Sequence, residues 1–259
     1  MESGHLSFAE RGSGLPLILL HAFPLSRKMW DGELEIWSKT HRLIAPDWRG
    51  FGESPPAAGP LTMESCADDL HQLLQQLGIK QKAILLGLSM GGYIAFEFVR
   101  RYPDSLQGLV LAATQPNADS EASQKARHET AEFVQKEGTP ALAERLILRL
   151  LGKTTLQTNP DVVDRVRRLI ESNSPAGIAA ACYGLALRRD SSSLLSRIQV
   201  PTLIVAGEED VIIARTQADT MRQRIASSQL AVMHHSGHLV NLEQPAAFHE
   251  AVAGFLENF

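Results

Sequence analysis

The sequence predicts an α/β fold whose mainly parallel sheet is covered by helices on both faces. Short runs along the chain are apolar throughout, without alternating polar residues, which is typical of strands buried on both sides. Segments with helical periodicity separate these runs, and such alternation favours parallel strands joined by right-handed crossovers. The length of 259 residues suits one large α/β domain or a domain with an insertion.

Six apolar runs are the predicted core strands, and a further strand is expected in HLSFAERG near the amino terminus. In chain order the six runs are PLILLHA, RLIAPD, KAILLGL, LQGLVLAAT, PTLIVAGEED and QLAVMHH. The periodicity of the segments between and after them predicts helices over residues 63–77, 90–101, 214–225 and 245–256.

One segment of the chain interrupts this alternation of predicted strands and helices. Residues 116–190 contain no strand-like run and instead hold charged, leucine-containing stretches such as PALAERLILRLLG and PDVVDRVRRLIESN, punctuated by glycine and proline. We interpret this block as a helical cap inserted at a single point. The chain then divides into a core of residues 1–115 and 191–259 and a cap of residues 116–190. The alternative is a set of ordinary surface helices.

Composition and charge exclude several classes of function. The fractions of hydrophobic (44%) and charged (21%) residues are ordinary for a globular protein, and a net charge of −4 argues against a nucleic-acid partner. Cys66 and Cys182 lack the spacing of a zinc site or a disulfide framework. No stretch approaches the roughly 20 apolar residues that span a bilayer. The amino terminus lacks a signal-peptide pattern, so we expect a cytoplasmic protein without membrane partners.

Polar residues directly after the predicted strands are the candidates for chemistry, because ligands of an open parallel sheet bind at the carboxyl ends of its strands. Ser89 follows the third core strand, Asp210 the fifth and His238 the sixth. A hydroxyl is a poor nucleophile until a base takes its proton, and a carboxylate behind that base fixes its tautomer. This pattern predicts Ser89 as nucleophile, His238 as base and Asp210 as the orienting acid.

Each of these roles has an alternative among neighbouring residues. His234 or His235 could be the base, since both lie closer to the preceding strand, and Glu208 and Glu209 precede Asp210 in the same loop. Ser89 could also be a small packing residue between glycines, His238 a structural histidine and Asp210 a turn former.

The motifs around these residues resemble those of the α/β-hydrolase superfamily. GLSMG at residues 87–91 matches its nucleophile elbow, GEEDVIIA its acid loop, SGHLVNLEQP its histidine loop, HAFP its oxyanion turn and DWRGFGES a further segment. The order serine, aspartate, histidine matches as well. The chain looks most similar to small capped esterases, lactonases and cofactor-free perhydrolases. Ala22 and Ala214 replace a usual glycine and proline, and the family's first edge strand is expected to be missing.

The resemblance implies a site that needs no metal or organic cofactor. Main-chain N–H groups of Phe23 and Met90 are expected to hold the oxyanion of the tetrahedral intermediate. His21 is expected to shape the oxyanion turn by hydrogen bonding. Asp47 and Arg49 are expected to organise their loop as a buried ion pair.

The predicted function is hydrolysis of carboxylic esters or lactones of small to medium apolar substrates through an acyl-enzyme. The pocket under the cap is expected to be apolar and to include Leu25, Leu185, Val211 and Val240. A cofactor-free perhydrolase or haloperoxidase-type reaction, or hydrolysis of a carbon–carbon bond, would use the same groups. A small-molecule-binding signalling protein with weak hydrolysis is a third alternative. The expected partner is a small-molecule ester or lactone, and the oligomeric state is not predicted.

Overall fold

The computed structural model describes residues 6–259, so the first five residues, on which the signal-peptide expectation partly rests, lie outside the described part. Seven strands form one sheet in the order β1-β3-β2-β4-β5-β6-β7. β1 pairs antiparallel with β3, and every other pairing is parallel. The strands are β1 (Phe8–Arg11), β2 (Pro16–Leu20), β3 (Arg42–Pro46), β4 (Ala83–Leu88), β5 (Leu106–Ala112), β6 (Thr202–Gly207) and β7 (Ser228–Met233).

Burial on both faces explains why the central strands are apolar throughout. Every residue of β2, β4 and β6 is buried. Successive side chains of a strand point to opposite faces. Accordingly, Leu85 belongs to one hydrophobic cluster, whereas Leu86 belongs to the cluster on the other face. Leu19 pairs with Leu86, and Leu86 pairs with Val110, so the second cluster runs continuously across three strands.

Helices cover both faces of the sheet, as predicted. The helices outside residues 116–190 are α1 (Asp31–Trp37), α2 (Met63–Gln76), α3 (Met90–Arg101), α8 (Arg215–Arg224), α9 (Val240–Glu243) and α10 (Pro245–Leu256). α2, α3 and α8 contribute to the first cluster, while α1 and α10 contribute to the second. The four predicted helices are α2, α3, α8 and α10, with ends shifted by at most one residue. The short α1 and α9 escaped prediction because neither spans three turns.

Four α-helices and a short 3₁₀ helix (Ser192–Arg197) occupy the stretch between β5 and β6. The α-helices are α4 (Glu121–Leu150), α5 (Lys153–Thr158), α6 (Pro160–Glu171) and α7 (Pro175–Ala186), and no strand lies between residues 113 and 201. α4 bends at Gly138, whose φ of 82° is outside the helical region, and Pro140 supplies no N–H beyond the bend. We refer to residues 116–190 as the helical segment. Within residues 6–259, no helix combines the length and apolarity that crossing a bilayer requires.

Candidate active site

Ser89 lies at the sharp turn from β4 into α3. Its backbone has φ 54° and ψ −111°, a sparsely populated conformation for a residue with a side chain. Flanking glycines permit the turn. A Cβ at Gly91 would collide with the carbonyl of Leu20, and a Cβ at Gly87 would collide with the backbone of Gly91. The small residues of GLSMG therefore let α3 begin close to the sheet, and the turn holds the serine hydroxyl beyond the strand end.

The structure brings Ser89, His238 and Asp210 together in one hydrogen-bonded chain. Nε2 of His238 lies 2.7 Å from Oγ of Ser89, and Nδ1 lies 2.8 Å from Oδ2 of Asp210. The side chains of His238 and Asp210 are each only 2% exposed. The other oxygen of Asp210 accepts the backbone N–H groups of Ile212 and Ile213 at 2.8 and 3.0 Å. The carboxylate is therefore fixed from both sides.

Electrostatics keep Asp210 ionised. Burial alone would raise the pKa of the Asp210 carboxyl, but the nearby charge and hydrogen bond of His238, with two backbone N–H groups, bring that pKa below its usual value. An ionised carboxylate can only accept hydrogen bonds. Nδ1 of His238 must then carry the proton, which leaves the lone pair of Nε2 facing the Ser89 hydroxyl. This arrangement can draw the proton from the hydroxyl as its oxygen attacks a carbonyl.

The neighbouring alternatives to these residues lie elsewhere. His234 is 73% exposed and pairs with Glu208 at 3.3 Å, and His235 is also exposed. The carboxylate of Glu209 accepts hydrogen bonds from Thr154, at 2.9 Å from its N–H and 2.7 Å from its hydroxyl. None of these side chains is hydrogen-bonded to Ser89, so none of them forms an alternative hydrogen-bonded chain that could take the Ser89 proton.

Two residues that line the cavity beside Ser89 have main-chain donors without a partner in the described chain. Phe23 and Met90 both line it, and neither backbone N–H has a hydrogen-bond acceptor within residues 6–259. Met90 is the first residue of α3, where N–H groups have no partner inside the helix and the helix dipole is positive. These two N–H groups can donate hydrogen bonds to a developing oxyanion without breaking any hydrogen bond within the protein.

The buried His21 fixes the peptide that carries the Phe23 N–H. Burial lowers the pKa of His21, so its ring is neutral at neutral pH. Nε2 accepts the N–H of Trp48 at 3.2 Å, which requires that Nδ1 carry the proton and donate to the carbonyl of Ala22 at 3.0 Å. Because the C=O and N–H of a trans peptide point in opposite directions, holding the Ala22 carbonyl orients the Phe23 N–H.

A cavity of about 210 Å³ adjoins Ser89 and His238. Of the four residues predicted for the pocket, Leu185 lines this cavity, but Leu25, Val211 and Val240 do not, and those three assignments were wrong. Leu25 and Val240 are fully buried in the hydrophobic cluster on one face of the sheet, and Val211 is 68% exposed to solvent.

The expectation of an apolar pocket was also wrong. Leu146, Leu150, Ile212 and Ile213 supply an apolar part of the wall. The polar and charged part of the wall comes largely from the helical segment and consists mainly of Gln115, Asp119, Ser123, Arg127, Thr130 and Arg149. Sequence reasoning missed these residues because the charged face of α4 reads as a solvated helix surface. Only the orientation of α4 shows that part of this face borders the cavity.

The expected ion pair between Asp47 and Arg49 does not form. Asp47 is buried and pairs with Arg27, while Arg49 pairs with Asp69 on α2. Both residues organise their loop, but through partners distant in sequence. The carboxylate of Asp47 also accepts the backbone N–H of Glu53 at 3.0 Å, which closes the loop on itself.

The helical segment is joined to the histidine loop by a buried carboxylate. Glu243 accepts the backbone N–H of Gly152 at 2.7 Å and that of Leu239 at 3.1 Å. The carbonyl of Leu150 accepts the N–H of His238 at 3.1 Å. We refer to these contacts as the joint. Glu243 lies in the SGHLVNLEQP motif, and its position in that motif is the signal that the sequence offers for this carboxylate.

The fold and the arrangement of the site are together those of an α/β hydrolase. The chain belongs to the alpha/beta hydrolase fold family, whose sequence profile matches residues 16–245. A thermophilic esterase from Thermogutta terrifontis, solved with malate bound, is 42% identical with a TM-score of 0.95, over 98% of this chain and 93% of that one.

Two further relatives are lactonases. 3-Oxoadipate enol-lactonase 2 of Acinetobacter baylyi is 27% identical, over 94% of this chain and 89% of its own length. The enol-lactonase of Burkholderia xenovorans LB400 is 25% identical with a TM-score of 0.91, over 99% of this chain and 98% of that one. The family and these relatives support a hydrolase acting on small-molecule esters.

Proposed function

We propose that this protein hydrolyses carboxylic esters or lactones through an acyl-enzyme on Ser89. The observation that carries the proposal is the chain of hydrogen bonds from Ser89 Oγ through His238 to Asp210, at 2.7 and 2.8 Å. The similarity to an esterase and to enol-lactonases supports the same reaction class. The natural partner is accordingly a small molecule.

Formation of the acyl-enzyme begins with attack of Ser89 Oγ on the substrate carbonyl, while Nε2 of His238 takes the hydroxyl proton. The N–H groups of Phe23 and Met90 stabilise the negative charge on the former carbonyl oxygen. Collapse of this intermediate breaks the C–O bond, and His238 returns the proton to the leaving alkoxide. In a lactone, the alcohol stays tethered to the acyl group.

Hydrolysis of the acyl-enzyme repeats these steps with water. His238 takes a proton from water as its oxygen attacks the acyl carbonyl, and the proton then passes to Ser89 Oγ as the free acid leaves. Throughout, Asp210 stabilises the imidazolium that forms on His238. Transfer of the acyl group to hydrogen peroxide instead of water would give a peracid from the same intermediate. Measuring bromination with and without peroxide distinguishes this branch from hydrolysis.

The helical segment acts in this proposal as a cap over the acyl-enzyme. Its residues Ser123, Thr130, Leu146 and Leu185 line the cavity that adjoins Ser89, which supports that role. The proposed location is the cytoplasm, a reducing compartment in which the free, buried Cys66 and Cys182 stay unpaired.

The test is turnover of 4-nitrophenyl acetate by the wild type and by Ser89→Ala. Loss of the nucleophile is expected to lower kcat by about 10⁴- to 10⁶-fold, because the base and acid cannot act without it. Ser227→Ala, which removes an exposed hydroxyl away from the cavity, is the matched control and keeps activity within a few-fold. Equal rates for the wild type and Ser89→Ala would rule out the mechanism.

A further inference from the structure

The cavity beside Ser89 carries an excess of positive charge. Two arginines of α4, Arg127 and Arg149, line it, and Asp119 is the only acidic residue among the lining residues of the described chain. A wall of this kind favours an anionic ligand, because a guanidinium attracts negative charge and can donate several hydrogen bonds to it. The partners of each charge decide what the cavity can bind.

Asp119 is already shared between two guanidinium groups. Nε of Arg127 lies 3.0 Å from one carboxylate oxygen, and Nη2 of Arg188 lies 2.9 Å from the other. Both oxygens are therefore occupied, and one negative charge faces two positive ones. The terminal nitrogens of Arg127 have no hydrogen-bond acceptor within residues 6–259. Asp119 thus neutralises only part of the local charge and does not reach Arg149.

Arg149 has no hydrogen bond or ion pair from its side chain to any residue of the described part. Its position is nevertheless fixed, because the carbonyl of the next residue, Leu150, accepts the backbone N–H groups of His238 and Leu239 at 3.1 and 3.3 Å. The guanidinium therefore extends from a backbone position held against the histidine loop, and it contributes to the wall of the same cavity.

Three carboxylates that contact either the histidine loop or the residues just after Arg149 are already hydrogen-bonded. Glu209 binds Thr154, and Glu243 binds the N–H groups of Gly152 and Leu239. Asp210 binds His238. An arginine on an exposed helix face needs no partner, but Arg149 also borders the cavity that adjoins the proposed nucleophile, Ser89.

We infer that the substrates of this enzyme are esters or lactones that carry a carboxylate, which Arg149 binds with the help of Arg127. The inference rests on the proposed function and names its substrate class. The fork of a guanidinium matches a carboxylate in two parallel hydrogen bonds, so recognition would set both affinity and orientation. A substrate held in this way would present its ester carbonyl to Ser89 with its charged end toward α4.

Two methyl esters with the same number of acyl carbons test the inference. Monomethyl glutarate ends in a carboxylate where methyl pentanoate ends in a methyl group. We expect the wild type to show a kcat/KM at least tenfold higher for monomethyl glutarate, measured by acid release, since a charge-assisted hydrogen bond at a partly exposed site is worth about this factor. Arg149→Met should lower kcat/KM for monomethyl glutarate about tenfold more than for methyl pentanoate.

Two further variants assign the effect to the guanidinium. Arg149→Lys keeps the charge without the fork and should fall between the wild type and Arg149→Met. Arg145→Met removes the same charge one turn earlier on α4, where the guanidinium lies over the ring of Phe133, and should leave the preference unchanged.

The outcomes separate the inference from the proposed function. The carboxylate inference is overturned, while the esterase proposal stands, if the wild type has the same kcat/KM for methyl pentanoate and monomethyl glutarate. The same conclusion follows if Arg149→Met lowers kcat/KM for both esters equally. If the wild type hydrolyses neither these esters nor 4-nitrophenyl acetate, the proposed function fails and the inference falls with it.

Discussion

The end of the sheet and the helical segment face the same cavity but differ in how their polar groups are held. At the sheet end, Ser89, His238 and Asp210 are buried and hydrogen-bonded to one another. On α4, Arg149 is exposed and has no partner in the described chain. The first region is organised before any ligand arrives, whereas the second has free hydrogen-bonding capacity. In the proposed function, the sheet end therefore carries out the reaction and the helical segment selects the substrate.

The largest expected effect breaks the organised region. Asp210→Asn should lower kcat by about 10⁴-fold, because an amide can donate to Nδ1 and favour the histidine tautomer that cannot accept the serine proton. Steady-state kinetics with 4-nitrophenyl acetate measures the loss. Glu208→Gln, on the same loop but half exposed and paired with His234, is the control and should retain activity. Activity of Asp210→Asn within tenfold of the wild type would contradict this role.

A smaller effect is expected at His21, which acts through the Ala22–Phe23 peptide. His21→Phe keeps a ring between Trp48 and Phe51 but removes both ring nitrogens. We expect kcat to fall about 10- to 100-fold with a much smaller change in KM, because the oxyanion donor is misplaced and not deleted. His71→Phe, at a half-buried histidine stacked on Tyr102, is the control. Loss of stability with unchanged kcat per folded molecule would reduce His21 to a packing role.

The smallest expected effect lies at the joint between the two regions. In Glu243→Gln, the amide NH₂ would replace an acceptor of the Gly152 or Leu239 N–H, leaving a buried donor unsatisfied. The free energy of unfolding should fall by about 1–3 kcal/mol, as measured by urea denaturation. Glu257→Gln, at the exposed carboxyl-terminal end, is the control. Unchanged stability would mean that the joint does not hold the helical segment to the histidine loop.

Local signals carried most of the fold prediction. The central strands are apolar throughout because both faces are buried, and α3 and α10 have the predicted ends. The residues that follow strand ends could be found in the same way, since parallel strands bring their carboxyl ends to one edge. Ser89, Asp210 and His238 are close together for this reason. Their assignment as a catalytic triad stays a proposal until activity is measured.

The pocket could not be predicted, because its wall depends on how a helix is oriented over the sheet. Leu25 and Val240 are apolar because they pack in the hydrophobic core, and they do not line the cavity. Arg149 lies in a charged helical stretch, where the sequence predicts a solvent-exposed side chain and gives no sign of a cavity. The predicted ion pair between Asp47 and Arg49 was wrong for a related reason. Their actual partners, Arg27 and Asp69, lie about 20 residues away in the sequence, and only tertiary packing brings them together.

Covalent labelling tests most directly whether Ser89 is the nucleophile. Diethyl 4-nitrophenyl phosphate would transfer its diethylphosphoryl group to an activated serine oxygen and release 4-nitrophenolate. We predict one equivalent of 4-nitrophenolate per chain, with the added mass on the peptide that contains Ser89 and no adduct in Ser89→Ala. An adduct on another residue, or full esterase activity in wild-type protein that takes up no label, would contradict the account.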